Sequence, residues 1–110
     1  MTDKIVVLST CSTAKEAERI ARELVEKRLA ACVNIVPGLR SVYRWKGAIQ
    51  EDAEVLLVIK SSRALFNELR VEIEKLHSYE VPEVIATPIV DGSDGYLEWL
   101  HRELATKAES

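Results

Sequence analysis

The sequence predicts an α+β fold with one four-stranded sheet, two main helices and an extra C-terminal helix. Two observations predict it. Short apolar runs rich in β-branched residues, such as KIVVLST at residues 4–10, have the composition of strands. Between these runs, apolar residues recur every three or four positions, which is the spacing of an amphipathic helix. With 110 residues, the chain is most simply a single domain covering residues 1–110.

The first strand, KIVVLST, leads into a helix predicted from about Ala14 to Leu29. Thr13 and Glu16 have the spacing of a capping box, in which side chain and backbone of these two positions bond to each other. The apolar face of the helix is predicted to contain Ala17, Ile20, Ala21 and Leu24.

Residues 31–61 are predicted to form two long strands joined near Lys46 and Gly47. Pro37 and Gly38 interrupt the first of these strands. Because proline has no N–H to donate to a neighbouring strand, we expect a bulge, a bend or a sheet edge there.

The remaining elements are a second helix, a fourth strand and a third helix. The second helix is predicted from about Ser62 to Leu76. The fourth strand, EVIATPIV at residues 83–90, contains Pro88, which suits an edge strand. After the turn DGSDG, the third helix is predicted from apolar residues at helical spacing, Leu97, Leu100 and Leu104.

The order β-α-β-β-α-β with a terminal helix is that of a ferredoxin-like sandwich. Right-handed crossovers place both main helices on one face of its sheet. The runs IVVL and VLLVIK are nevertheless apolar at consecutive positions, as in strands that are buried on both sides. A further copy of the chain is the simplest cover for the second face, so the sequence predicts a homo-oligomer.

Charge and composition exclude several classes of partner. The net charge is −3, and no cluster of lysine and arginine is present, so no nucleic-acid partner is expected. No apolar run approaches the roughly 20 residues that cross a bilayer, so no membrane association is expected. The N-terminus lacks the features of a signal peptide, which predicts a cytoplasmic protein. The two cysteines, Cys11 and Cys32, form no C-x-x-C pair.

Three pieces of the chain, EKRLAACVNI, YRWKG and EVPE, resemble the CutA family of divalent-ion tolerance proteins. The resemblance runs from about Val6 to Leu104. It implies a compact homotrimer of ferredoxin-like subunits, akin to PII signalling proteins. It also implies a role in tolerance of copper and other divalent cations, with Cu²⁺ as the candidate ligand and no enzymatic reaction.

The same resemblance implies a strand cysteine and a histidine pair as ligands in copper-binding relatives. Here Ser9 and Leu76 stand where that cysteine and the first histidine fall, and His77 keeps the second position. Cys11, two positions beyond Ser9 and on the same face of an extended strand, is a substitute thiol. The candidate metal ligands are therefore His77 and Cys11. The alternative for His77 is a structural residue near a helix C-terminus, where its charged form favours the helix dipole.

An intersubunit cleft is the second candidate site, with a divalent metal or a small anion as its ligand. His77, Tyr79 and Glu80 are predicted to line it from one chain. Tyr43, Trp45 and Lys60 are predicted to line it from another. The alternative for Tyr43 and Trp45, which share a strand face, is interface packing, since aromatic residues are enriched at interfaces.

No catalytic residues are predicted. The sequence shows no nucleophile with an adjacent base and no paired carboxylates, and the acidic residues of QEDAE at 50–54 have the appearance of a solvated strand start. An enzyme using Tyr79 or Glu80 for proton transfer is the less favoured alternative. Two further alternatives are a small-ligand or signalling module related to PII proteins and a trimer that anchors a protein partner without metal.

Overall fold

The computed structural model describes residues 2–106 and shows one four-stranded antiparallel sheet with three α-helices. The predicted α+β class is confirmed. The elements are β1 (Lys4–Cys11), α1 (Ala14–Glu26), β2 (Cys32–Trp45), β3 (Ala48–Ser62), α2 (Phe66–Leu76), β4 (Ile85–Pro88) and α3 (Asp94–Glu103).

The strands lie in the order β2-β3-β1-β4, which makes β2 and β4 the edges of the sheet. Pro88 lies on the edge strand β4, as predicted. On the other edge, the pairing of β2 with β3 shifts register between Val36 and Leu39. Pro37 and Gly38 occupy this irregularity, and the positive φ of Gly38, 82°, is a conformation that glycine adopts without strain. The expected bulge is therefore present.

The β2–β3 hairpin extends beyond the rest of the sheet. Pairing between β1 and β3 ends at Cys11 and Val55, whereas β2 and β3 stay paired as far as Trp45 and Ala48. The hairpin turns at Lys46 and Gly47, whose φ angles of 50° and 80° are both positive. Two positive φ angles in a two-residue connection define the type I′ turn, whose twist matches that of paired strands.

The core lies where α1 and α2 meet the sheet. Alternate residues of β1 and β3, among them Val7, Leu57 and Ile59, form one buried cluster with the apolar faces of both helices. The residues between them, such as Val6 and Val58, are only partly buried. The helices thus cover one face of the sheet at β1 and β3, whereas the other face of these two strands is only partly covered within the chain.

Helix α1 ends earlier than predicted, at Glu26 instead of Leu29. Arg28 adopts a left-handed conformation with φ 58°, and the backbone N–H of Leu29 turns back to the carbonyl oxygen of Leu24 at 2.9 Å. This turn places the Leu29 side chain in the core. The apolar spacing therefore continues past the end of the helix itself.

The other boundaries differ by a few residues. Ser62 is the last residue of β3, and a short 3₁₀ turn, Arg63–Leu65, precedes α2. Strand β4 is shorter than its apolar run because it pairs only with Ile5–Leu8 of β1. Leu104 lies just after α3 and is buried. None of the helices among residues 2–106 is long and apolar enough to cross a bilayer.

Replacing Gly47 by alanine is expected to lower the free energy of unfolding by about 1–2 kcal/mol, because an L side chain at this left-handed position is strained. A Cβ at Gly47 meets no atom within 4 Å, so strain alone is measured. Gly95→Ala is the matched control: it also meets open space, but it lies inside α3, where alanine is favoured. Urea unfolding of both variants checks this, and equal effects would contradict it.

Candidate functional site

The segment after α2, which carries the predicted site residues, is tied to α1 by two side chains. Arg19 donates a hydrogen bond from Nη2 to the carbonyl oxygen of Leu76 at 2.7 Å. The backbone N–H of Ser78 donates to Oε2 of Glu16 at 3.0 Å. Thr13 caps α1 as predicted, accepting from the N–H of Glu16 at 3.1 Å. The Glu16 carboxylate, however, accepts this hydrogen bond from Ser78, in the segment after α2, instead of completing the capping box.

His77 is 9% exposed, and both of its ring nitrogens are hydrogen bonded. Nε2 lies 2.7 Å from the carbonyl oxygen of Thr10, and Nδ1 lies 3.0 Å from the backbone nitrogen of Tyr79. A carbonyl oxygen only accepts and a backbone N–H only donates, so the proton sits on Nε2 and Nδ1 is the acceptor. His77 thus connects the end of β1 to the segment after α2.

A cluster of three metal-ligating side chains surrounds His77. The cluster contains one ligand atom from each of three residues, Cys11, Glu16 and His77, and these atoms all lie within 4.8 Å of one another. Oε1 of Glu16 is buried without a hydrogen-bond partner among the described residues and lies 4.0 Å from Nδ1 of His77. Sulfur, nitrogen and carboxylate oxygen together form a donor set for divalent transition metals.

Burial keeps the Cys11 thiol protonated. It raises the pKa of Cys11 to about 11, with smaller contributions from the nearby carboxylates of Glu16 and Glu54. Because the thiolate is the metal ligand, Cys11 must lose this proton before it binds an ion. Ser9, on the same strand face as Cys11, is also buried, and its hydroxyl has no hydrogen-bond partner within residues 2–106.

A cavity of about 700 Å³ lies between the β2–β3 hairpin and the segment 78–83. Four residues predicted for the cleft line it within one chain: Tyr43, Trp45, Tyr79 and Glu80. Glu54 and Glu83, which were not predicted, line it as well. Lys60 does not: it bonds to the side-chain oxygen of Asn34 and stands six residues along β3 from Glu54, about 20 Å away.

Two tyrosine hydroxyls at this cavity donate hydrogen bonds to carboxylates. Tyr79 donates to Oε2 of Glu54 at 2.5 Å, and Tyr43 donates to Oδ2 of Asp52. Burial, followed by the Glu54 carboxylate, raises the pKa of Tyr79; the hydrogen bond to Asp52 raises the pKa of Tyr43. Both side chains therefore remain neutral phenols. Within one chain, the described lining contains three glutamates and no lysine or arginine. Of the two ligands expected from sequence, a divalent metal or a small anion, this part of the lining suits the cation.

Known proteins share both the sequence and the fold. The family model of the CutA1 divalent ion tolerance protein matches residues 5–103. The chain belongs to the CutA family. The Thermus thermophilus divalent-cation tolerance protein CutA is 52% identical over 95 residues, which are 86% of this chain and 92% of that protein. The solved structure of Cut A1 from the same species has a TM-score of 0.91 at 48% identity, covering 93% of this chain and 99% of that one.

Some CutA proteins are considerably longer than this chain. The chloroplastic CutA of Arabidopsis thaliana is 50% identical over 96 residues, but these are 87% of this chain and only 53% of that protein. The chain thus spans about half the length of the plant relative and nearly all of the bacterial one. The similarity covers β1 through α3 and therefore includes all the site residues described above.

In this CutA protein, Tyr79→Phe is expected to lower the free energy of unfolding by about 1–2 kcal/mol, since Glu54 loses its hydrogen-bond donor while remaining buried. Tyr43→Phe is the control. Tyr43 and Asp52 are both exposed, so its loss is expected to cost less than about 0.5 kcal/mol. Urea unfolding near neutral pH measures both changes; equal costs would contradict the prediction.

The loss of stability at high pH gives a second measure of the hydrogen bond from Tyr79 to Glu54. The pKa of Tyr79 is higher in the folded chain than its ordinary value of 10.0, so at neutral pH Tyr79 makes its full contribution to the free energy of unfolding. Above pH 10.0 the unfolded chain loses this proton first, and stability falls as pH rises. The Tyr79→Phe variant lacks this contribution and is expected to lose less stability there; an identical loss in both proteins would refute the assignment.

Proposed function

We propose that this CutA protein is a binding protein, not an enzyme, and that it takes up a divalent metal cation at Cys11, Glu16 and His77. The convergence of three different ligand atoms within 4.8 Å carries the proposal. The buried Oε1 of Glu16, which has no donor among the described residues, supports it, since a metal ion supplies the missing partner. Thiolate and imidazole ligands suit copper, the ion implied by the sequence resemblance.

Metal binding at this cluster has a definite cost. Cys11 must release a proton held with a pKa of about 11. Nδ1 of His77 must also give up the N–H of Tyr79, because its single lone pair accepts that bond. Both changes oppose metal binding near neutral pH. The cost of deprotonating Cys11 falls as pH rises.

The functional unit that we propose is a homotrimer of ferredoxin-like subunits. Beyond Cys11 and Val55 the β2–β3 hairpin has no third strand beside it among the described residues, and a two-stranded hairpin is marginally stable alone. Its outer part carries large exposed apolar side chains, including Val42 at 65% and Ile49 at 61% exposure. A symmetric set of further copies covers both this hairpin and the half-open sheet face.

We also propose a cytoplasmic location. Both cysteines are free, which suits a reducing compartment. A relative whose name includes "chloroplastic" shows that the compartment varies within the family. Fractionation of cells that produce the native chain, with detection of the protein in each fraction, tests this location directly.

Titration of the reduced protein with Zn²⁺, a divalent ion without redox chemistry, is expected to show one ion bound per chain. His77→Ala and Cys11→Ser are expected to abolish this binding, because each removes a ligand. His101→Ala is the control: its imidazole contacts Lys4 instead of the cluster. Calorimetry under anaerobic conditions measures the stoichiometry, and equal binding by the wild type and His77→Ala would refute the site.

The pH dependence of Zn²⁺ binding separates the cysteine from the other ligands. While Cys11 is protonated in the free protein, each unit of pH increases its thiolate fraction about tenfold, so the apparent affinity should rise about tenfold per unit between about pH 7 and 9. In Cys11→Ser, the rise of the Zn²⁺ affinity with pH that comes from the thiol is expected to disappear. A wild-type affinity that stays flat over this range would contradict a thiolate ligand.

Light scattering is expected to give three times the chain mass of 12.4 kDa. Val42→Glu, which places a charge on the hairpin surface, is expected to shift the protein toward smaller species. Val71→Glu is the control, because Val71 is a similarly exposed valine, at 52%, on α2. A wild-type monomer would refute the trimer, and equal effects of both variants would refute the hairpin as its contact surface.

A further inference from the structure

Residues 91–95 contain two Asp-Gly pairs that lie in different backbone environments. The pair Asp91 and Gly92 belongs to no helix or strand, whereas Asp94 and Gly95 are the first two residues of α3. Both aspartates are exposed. The two pairs carry the same reacting groups, so the fold around them decides which one reacts.

An Asp-Gly pair rearranges without an enzyme. The backbone nitrogen of the glycine attacks Cγ of the aspartate, a C–N bond forms, and one carboxyl oxygen leaves as water together with the proton of the N–H. The product is a five-membered cyclic imide. Water then breaks one of the two C–N bonds of the ring: breaking the bond to Cγ restores aspartate, and breaking the bond to the backbone carbonyl carbon leaves isoaspartate. Glycine favours the reaction because no Cβ shields its nitrogen.

The carboxyl group of Asp91 already lies beside the nitrogen that attacks it. The backbone N–H of Gly92 donates to Oδ1 of Asp91 at 2.9 Å. Because Gly92 lies outside every helix and strand, the attack breaks no hydrogen bond of secondary structure. The carboxyl group of an exposed aspartate rotates over a broad range about Cβ–Cγ, which turns Cγ toward the nitrogen. Groups held in proximity in this way react faster.

Helix α3 holds the second pair in a conformation that opposes the same reaction. Its first turn contains Asp94 and Gly95, and the N–H of Leu97 closes that turn by donating to the carbonyl oxygen of Ser93 at 3.0 Å. Ring closure requires the glycine nitrogen to turn toward the side chain, which takes ψ of Asp94 away from its helical value. Reaction at Asp94 therefore requires the first turn of α3 to open.

Packing favours glycine at the reactive position. A Cβ on Gly92 would lie 3.2 Å from both Cγ and Cδ2 of Leu97. Leu97 is partly buried and packs against the core, so its side chain is not free to move away. A side chain at position 92 would slow the attack on Asp91, but it would also press on Leu97. The packing of α3 thus retains the residue that makes Asp91 reactive.

We propose that Asp91 is a site of spontaneous isoaspartate formation in the folded protein, whereas Asp94 is protected by α3. The rearrangement adds one methylene group to the main chain between β4 and α3. Its position lies just after Ile89, whose N–H is held by the carbonyl oxygen of Lys4 at 2.9 Å. The reaction consumes no reagent, since one water leaves and one water enters, and it does not depend on metal binding.

Incubation of the protein in warm neutral buffer that contains ¹⁸O-enriched water and EDTA tests this proposal. Mass spectrometry with electron-transfer fragmentation distinguishes aspartate from isoaspartate at each position, and opening of the imide by water introduces ¹⁸O. A synthetic peptide of residues 88–97 is the reference, because it contains both Asp-Gly pairs without the fold.

Isoaspartate containing ¹⁸O is expected at Asp91 of the folded protein, at a rate about tenfold or more above that at Asp94. In the peptide the two rates are expected to be similar, because no helix protects Asp94. Asp91→Glu, a change at an exposed position, is expected to remove the product, since the larger ring closes slowly. Asp94→Glu makes the same change in α3 and is expected to leave the rate at Asp91 unchanged.

Three results would overturn the proposal. These are the absence of isoaspartate at Asp91 in the protein while the peptide forms it, equal rates at Asp91 and Asp94 in the folded protein, and isoaspartate that contains no ¹⁸O. Since EDTA is present throughout, any of them would leave the metal proposal standing.

Discussion

The hydrogen bond from Nε2 of His77 to the carbonyl oxygen of Thr10 is the contact on which the site depends. It holds the ring proton on Nε2, which leaves Nδ1 to accept the backbone N–H of Tyr79. That second bond brings the Tyr79 ring to 4.6 Å from the imidazole, measured between ring centres, and aims its hydroxyl at Glu54. One tautomer thus fixes the segment after α2 and positions a wall of the cavity.

The metal cluster and the acidic cavity meet at Tyr79. An ion bound to Nδ1 of His77 would take the lone pair that now accepts the backbone N–H of Tyr79, and it would release the residue whose hydroxyl donates to Glu54. Any ligand that requires Tyr79 in its present position would therefore oppose metal binding, and by linkage the metal would oppose that ligand to the same extent. This coupling arises because the lone pair on Nδ1 of His77 can accept the N–H of Tyr79 or bind an ion, but not both.

The fold could be predicted from the sequence because its signals are local. Apolar runs, the bulge at Pro37 and the turn at Gly47 each depend on a few neighbouring residues. The end of α1 could not be predicted, because Arg28 adopts the left-handed conformation usually given to glycine. His77, Tyr79, Tyr43 and Trp45 were predicted as site residues. Thr10, which bonds to His77, and Glu54, which bonds to Tyr79, lie 67 and 25 positions away, too far along the chain for a local pattern to indicate them. Glu54 belongs to a stretch that was predicted to be solvated, and it is buried beside Tyr79, which is 25 positions away in the chain.

The spacing of the ligand atoms and the state of the Cys11 thiol have opposite effects on metal binding. Atoms of Cys11, Glu16 and His77 converge within 4.8 Å of one another, a separation at which they can surround one ion. Burial raises the pKa of Cys11 to about 11, so the thiol must release a proton before it becomes a ligand. The geometry therefore favours an ion at this cluster, and the buried thiol makes the binding of that ion dependent on pH.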